Sequence, residues 1–133
     1  MRQTKDLGVL LLLYATASLL HFIHNAQYLA SYPGLPVSWS QSGVYLAWTG
    51  MTAVGMFGWL LLKKGYEWFG LAVLAAYAAL GLDSLGHYVL ASFSANTLMM
   101  NATILVEVTA AALVMIQVAR MLTRKMFAPV RSR

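Results

Sequence analysis

The sequence contains no cysteine. That excludes disulfides, thiolate metal sites, iron–sulfur clusters and cysteine nucleophiles. It is also poor in charge. Only 10% of its 133 residues are Asp, Glu, Lys or Arg, where a soluble domain carries about a quarter. Just four are acidic. What the chain has instead is apolar surface: 60% of it is hydrophobic, more than a water-soluble domain of this length could hide. An ordinary cytoplasmic enzyme, a disordered tail and a nucleic-acid-binding module are all excluded by that balance. The length suits a single domain, and the composition says that its solvent is a bilayer.

Apolar runs of about 20 residues cross a bilayer as helices, and roughly 7–29, 43–62, 68–90 and 97–121 qualify. Together they predict an all-α, integral membrane four-helix bundle, a single transmembrane domain over the whole chain. The longest connection carries Tyr32-Pro33-Gly34-Leu35-Pro36 as turn chemistry. The first run has a basic start, Arg2 and Lys5, and an Ala15-Thr16-Ala17 sequence like a cleavage site. Its apolar stretch continues through Phe22 and Ile23, so a retained span is expected.

Position changes the meaning of the net charge of +5. Arg2 and Lys5 precede the first span, and Lys63 and Lys64 separate the second and third. Arg120, Arg124, Lys125, Arg131 and Arg133 end the chain. The two connections on the other side contain no Lys or Arg. By the positive-inside rule both termini are expected in the cytoplasm, with the protein in the cell (inner) membrane. The basic residues then report topology and attraction to anionic lipid headgroups, with no role in binding nucleic acid. Aromatic residues fit interfacial belts: Tyr28, Tyr32, Trp39 and Tyr45 on the outer side, Trp59, Tyr66 and Trp68 on the inner side.

Small and polar residues mark the inward face of a membrane helix. At helical spacing they predict Tyr14, Ser18, His21, Asn25 and Tyr28 on the first span, and Tyr45, Thr49, Thr52 and Met56 on the second. They predict Ala72, Ala76, Ala79, Asp83 and His87 on the third. On the fourth they predict Asn96, Met100, Thr103, Glu107, Ala110 and Gln117. Gly50, Gly55 and Gly58 suggest close packing or a bend.

Asp83, Glu107 and all three histidines, His21, His24 and His87, fall inside spans. Intramembrane ionisable groups are expensive and point to function. On the helical rise, His21, Asp83 and Glu107 lie about 12–17 Å below the outer ends of their spans, and His24 and His87 a turn or two shallower. His21 and His24 are an i, i+3 pair, and Asp83 and His87 an i, i+4 pair. Each pair is therefore expected on one helix face.

Three imidazoles with two carboxylates match the ligand set of a divalent metal ion, Zn²⁺ or non-haem Fe²⁺. The expected ligands are His21, His24, His87, Asp83 and Glu107, with Asp83 also able to orient a ligand. Glu107 would serve as general base for a metal-bound water, making Glu107 and Asp83 the candidate catalytic residues. The chemistry implied is metal-dependent hydrolysis or oxidation of a lipid-like substrate.

Other expectations fit the same residues. They are a hydrogen-bonded polar network, haem b held by one histidine from each of two spans, and a proton or cation path. The partners expected are membrane lipid and, for a chain with no extramembrane domain, a larger membrane complex or a homo-oligomer. In ligand type the cluster resembles the intramembrane zinc hydrolases related to alkaline ceramidases. Those have seven spans and a different motif order, so no residue role is carried over. In size the chain is similar to small four-span multidrug exporters, but its first span lacks their carboxylate.

Overall fold

Two side-chain caps set where the helices after the outer connections begin. The Ser40 hydroxyl accepts from the Gly43 amide at 3.1 Å and starts a helix at Gln41. The Thr97 hydroxyl accepts from the Met100 amide at 3.2 Å and starts another at Leu98. Each satisfies an amide that the helix itself leaves unpaired. At the opposite end Gly65 turns the chain with φ of 89°, a conformation that suits glycine.

The computed structural model describes residues 2–127, with side chains from Gln3 onward. Arg131, Arg133 and the Arg2 side chain, used above to read topology, lie outside the described residues. The elements are α1 (Arg2–Gln27), α2 (Gln41–Lys63), α3 (Glu67–Leu82), a one-turn α4 (His87–Leu90) and α5 (Leu98–Met126). A 3-10 turn, Asp83–Gly86, joins α3 to α4, and Leu29–Ser31 and Phe93–Ala95 are two more such turns. Among the described residues there is no strand. Gln3–Gln27, Gln41–Lys63, Glu67–Leu90 and Leu98–Met126 are long and apolar enough to cross a membrane.

The helices run up and down as a four-membered ring. α1 packs on α2 and α5, and α3 packs on α2 and α5. Lys125 near the end of α5 pairs with Glu67 at the start of α3. Gln117 donates to the Gln3 carbonyl at 3.4 Å. The start of α1 and the end of α5 therefore share what we call the basic end. Near it the core is apolar: Leu7, Leu71, Leu74, Val114 and Val118 are fully buried.

The inward faces of α2 and α3 differ from the expected stripes. Val44, Met51, Gly55, Gly58 and Leu62 face inward on α2, whereas Tyr45, Thr49 and Met56 are exposed. On α3 the inward residues are Gly70, Leu71, Leu74, Tyr77, Ala78 and Gly81, while Ala72, Ala76 and Ala79 are exposed. Size complementarity decides this. Tyr77 fills the dent at Gly55, where a Cβ would stand 2.6 Å from its ring, and Leu74 fills the dent at Gly58 at 2.9 Å. An alanine stripe offers neither a dent nor a filler.

The tightest fit is Tyr14 against Gly81. The Tyr14 hydroxyl donates to the Tyr77 carbonyl at 3.1 Å, with the two rings 4.5 Å apart. It reaches that carbonyl because residue 81 has no Cβ to block it. Gly81→Ala should lose about 1–3 kcal/mol, the cost of overpacking. Gly50→Ala, with nothing within 4 Å of its Cβ, should be neutral or slightly stabilising. Thermal unfolding in detergent ranks the two variants, and equal effects would refute the Tyr14 contact.

Candidate polar site in the bundle

Above the Tyr14–Tyr77 layer the core turns polar. His21 lies one and two helical turns beyond Ser18 and Tyr14 on α1, and all three side chains are buried. Glu107 enters from α5 and is fully buried. Its Oε2 lies 3.8 Å from His21 Nε2, beyond a direct hydrogen bond but within ion-pair range. Thr103, one turn from Glu107, holds the other side of the imidazole, with its hydroxyl 3.2 Å from His21 Nδ1.

Thr103 also fixes the imidazole's tautomer. Its hydroxyl donates to the Met100 carbonyl at 3.1 Å, so its one proton is committed. His21 Nδ1 therefore donates to Thr103, and Nε2 is the nitrogen that faces Glu107. A lone carboxylate or a lone imidazolium here would be an uncompensated buried charge. The pair is neutral overall when one proton resides between Nε2 and the carboxyl group.

Ser84 completes the Glu107 environment, donating to Oε2 at 2.6 Å. It was not among the expected site residues, whereas Asp83 was, and the local backbone explains the exchange. An unbroken α-helix would bring Asp83 and His87 to one face. The 3-10 turn Asp83–Gly86 has three residues per turn, so residues three apart eclipse. Ser84 and His87 now share the inward side, and Asp83 is exposed. Asp83 lies on the wall of an outer cleft.

Tyr32 was also missed. It was expected in an interfacial belt, yet it is only 4% exposed and sits among the three histidines. Its ring centroid lies 6.4 Å from that of His21, 5.8 Å from His24 and 5.2 Å from His87. Its hydroxyl is 2.8 Å from His24 Nδ1. Burial pushes that hydroxyl up to about 12, so at neutral pH it stays protonated. The turn that follows makes this placement possible. Gly34 has φ of 76°, and a Cβ there would be 2.8 Å from the Leu90 carbonyl oxygen. The loop therefore lies directly on the end of α4, next to His87.

The five expected metal ligands do not converge. Among the described residues no group of three or more His, Asp or Glu side chains is arranged to hold a metal ion. His24 is engaged by Tyr32, Asp83 is turned outward, and one Glu107 oxygen is held by Ser84. The donor set present therefore does not fit a closed metal centre. His21 and His87 pack edge to face, with ring centroids 5.4 Å apart.

What the residues do form is a cleft of about 450 Å³. His21, Asn25, Asp83, Ser84 and His87 supply its polar wall, and Phe22, Trp39 and Val89 are among its apolar lining. Below it Ser18 is buried beside the Glu107 carboxyl.

Ser84→Ala should leave Glu107 Oε2 without its donor and cost about 1–3 kcal/mol, as for a buried unsatisfied group. Asp83→Asn, at an exposed position, should stay within about 0.5 kcal/mol. Thermal melts of the purified variants decide, and the reverse ranking would indicate a continuous α-helix. No protein-family model, curated protein or solved structure matches this chain.

Proposed function

We propose that this chain is a membrane-embedded binding site for a small amphiphile, lipid-like in its apolar part, with His21 and Glu107 exchanging a proton with its polar group. The observation that carries the proposal is a shared boundary. His21 and Ser84 line the cleft, and both approach the buried carboxyl of Glu107. A molecule in the cleft would therefore meet the site through them. The cleft's size falls within the roughly 300–1,000 Å³ of ligand pockets, with few polar groups on mostly apolar walls.

The chemistry available to such a pair is general acid–base catalysis. Hydrolysis of a lipid-like ester or amide is the reaction class we favour. The His21–Glu107 pair would take the proton of a water as its oxygen bonds to the acyl carbon, and would return it to the alkoxide or amine as that group leaves, with Ser84 placed to hold the carboxyl in position. His21 would retain its Nδ1 proton on Thr103 throughout and work through Nε2. The metal expected from composition has no part in this reading.

We infer the orientation from charge. Lys5, Lys63, Lys64, Arg120, Arg124 and Lys125 share the basic end, and the connections at the other end have no Lys or Arg. The positive-inside rule then puts the basic end in the cytoplasm and the cleft in the outer half of a cell membrane. A reporter fused after the last residue should be active only if its partner compartment is cytoplasmic.

Organic extraction of the purified protein, followed by mass spectrometry, tests the site. An amphiphile should be enriched with the wild type and lost from Val89→Trp, which fills the cleft from an exposed position. Glu107→Gln should keep the amphiphile but abolish the pH dependence of its retention. Identical extracts from all three proteins would refute the proposal.

A further inference from the structure

A second cavity lies at the other end of the molecule. It is a groove of about 710 Å³ between α1 and α2 at the basic end. Lys5 and Lys63 stand at its mouth, and Val9, Leu12 and Met56 form its apolar walls. All five side chains are exposed among the described residues. Trp59 closes one side, packed over Gly8, where a Cβ would stand 3.1 Å from the indole. Lys63 Nζ lies 5.9 Å from the centre of that indole ring.

The groove is graded along its length. Two ammonium groups and Thr4 come first, then mostly apolar side chains as far as Ala15, with Thr52 on the α2 side and Tyr77 behind it. From Lys5 to Ala15 the helix rises about 15 Å, which is about half of a hydrocarbon core of roughly 30 Å. A cationic mouth over an apolar slot one leaflet deep complements a molecule with an anionic head and a long chain. Basic pockets between spans at the cytoplasmic surface are known to take anionic lipid headgroups.

We propose that this groove binds one anionic glycerophospholipid, with its phosphate at Lys5 and Lys63 and an acyl chain along Val9, Leu12 and Met56. Occupancy would tie α1 to α2 along the seam they share. The lysines give the selectivity, because an apolar slot alone accepts any acyl chain. Binding should therefore weaken as ionic strength rises.

The test uses the full-length protein in a neutral detergent, titrated with phosphatidylglycerol, phosphatidylcholine or inorganic phosphate. Native mass spectrometry and thermal unfolding are the readouts. Phosphatidylglycerol should bind one per chain and raise the melting temperature. Phosphatidylcholine should bind at least tenfold more weakly, and inorganic phosphate should do neither. Lys5→Gln with Lys63→Gln changes two exposed side chains, so its lipid-free melt should match the wild type. Its affinity for phosphatidylglycerol should fall at least tenfold.

Equal binding of the two lipids, stabilisation by inorganic phosphate, or full affinity in the double variant would overturn the proposal. So would crosslinking that places a second copy of the chain in the groove. None of these outcomes bears on the cleft at the other end, so the two proposals fail separately.

Discussion

Glu107 is a carboxyl group buried in an apolar bundle, and the architecture around it follows from that cost. In such surroundings an unpaired charge is worth several kcal/mol of instability. Two helices and a 3-10 turn contribute to meeting it. α1 brings His21 to 3.8 Å, α5 brings Thr103 to orient the imidazole, and the 3-10 turn after α3 brings Ser84 to 2.6 Å. Tyr32 closes the histidine layer from above, and the Tyr14–Tyr77 pair closes it from below. Ser18, buried one turn below His21 on α1, adds a hydroxyl beside the same carboxyl.

The two ends of the bundle divide the work. At the basic end the interior is packed with Leu7, Leu71, Leu74, Val114 and Val118, all fully buried. Between that packing and Glu107 lie the buried Ser18 and Tyr14 side chains. At the other end the helices part, and a cleft reaches His21 and Ser84. The shape suits a site that receives its ligand and releases it on the same side. A break in α3 provides the opening, because a 3-10 segment costs regular helix geometry yet turns Ser84 inward.

The spans themselves were legible because apolar length is a strong signal in a bilayer solvent. The four observed spans match the expected ones to within a few residues, except that the last helix continues to Met126. On α1 and α5 the inward face was legible too, since Tyr14, Ser18, His21 and Glu107 follow helical spacing and are buried. On α2 and α3 it was not, because the pattern that matters there is glycine against a large ring. Gly55 with Tyr77 is a pairing between helices, which no single-helix periodicity reveals. Asp83 was misplaced for a third reason: its expected position assumed 3.6 residues per turn through a segment that has three. Tyr32 lies in a loop, where no period applies. The Pro33-Gly34 turn beside it was the available clue.

The central claim is that His21 and Glu107 form one proton-sharing unit, with His21 Nδ1 committed to Thr103. Solid-state nitrogen NMR of histidine-labelled protein in lipid bilayers measures this directly. The account predicts that His21 Nδ1 carries a proton and that the Nε2 resonance shifts when Glu107 becomes Gln. A His21 whose Nδ1 is bare, or whose Nε2 does not respond to Glu107→Gln, would contradict it.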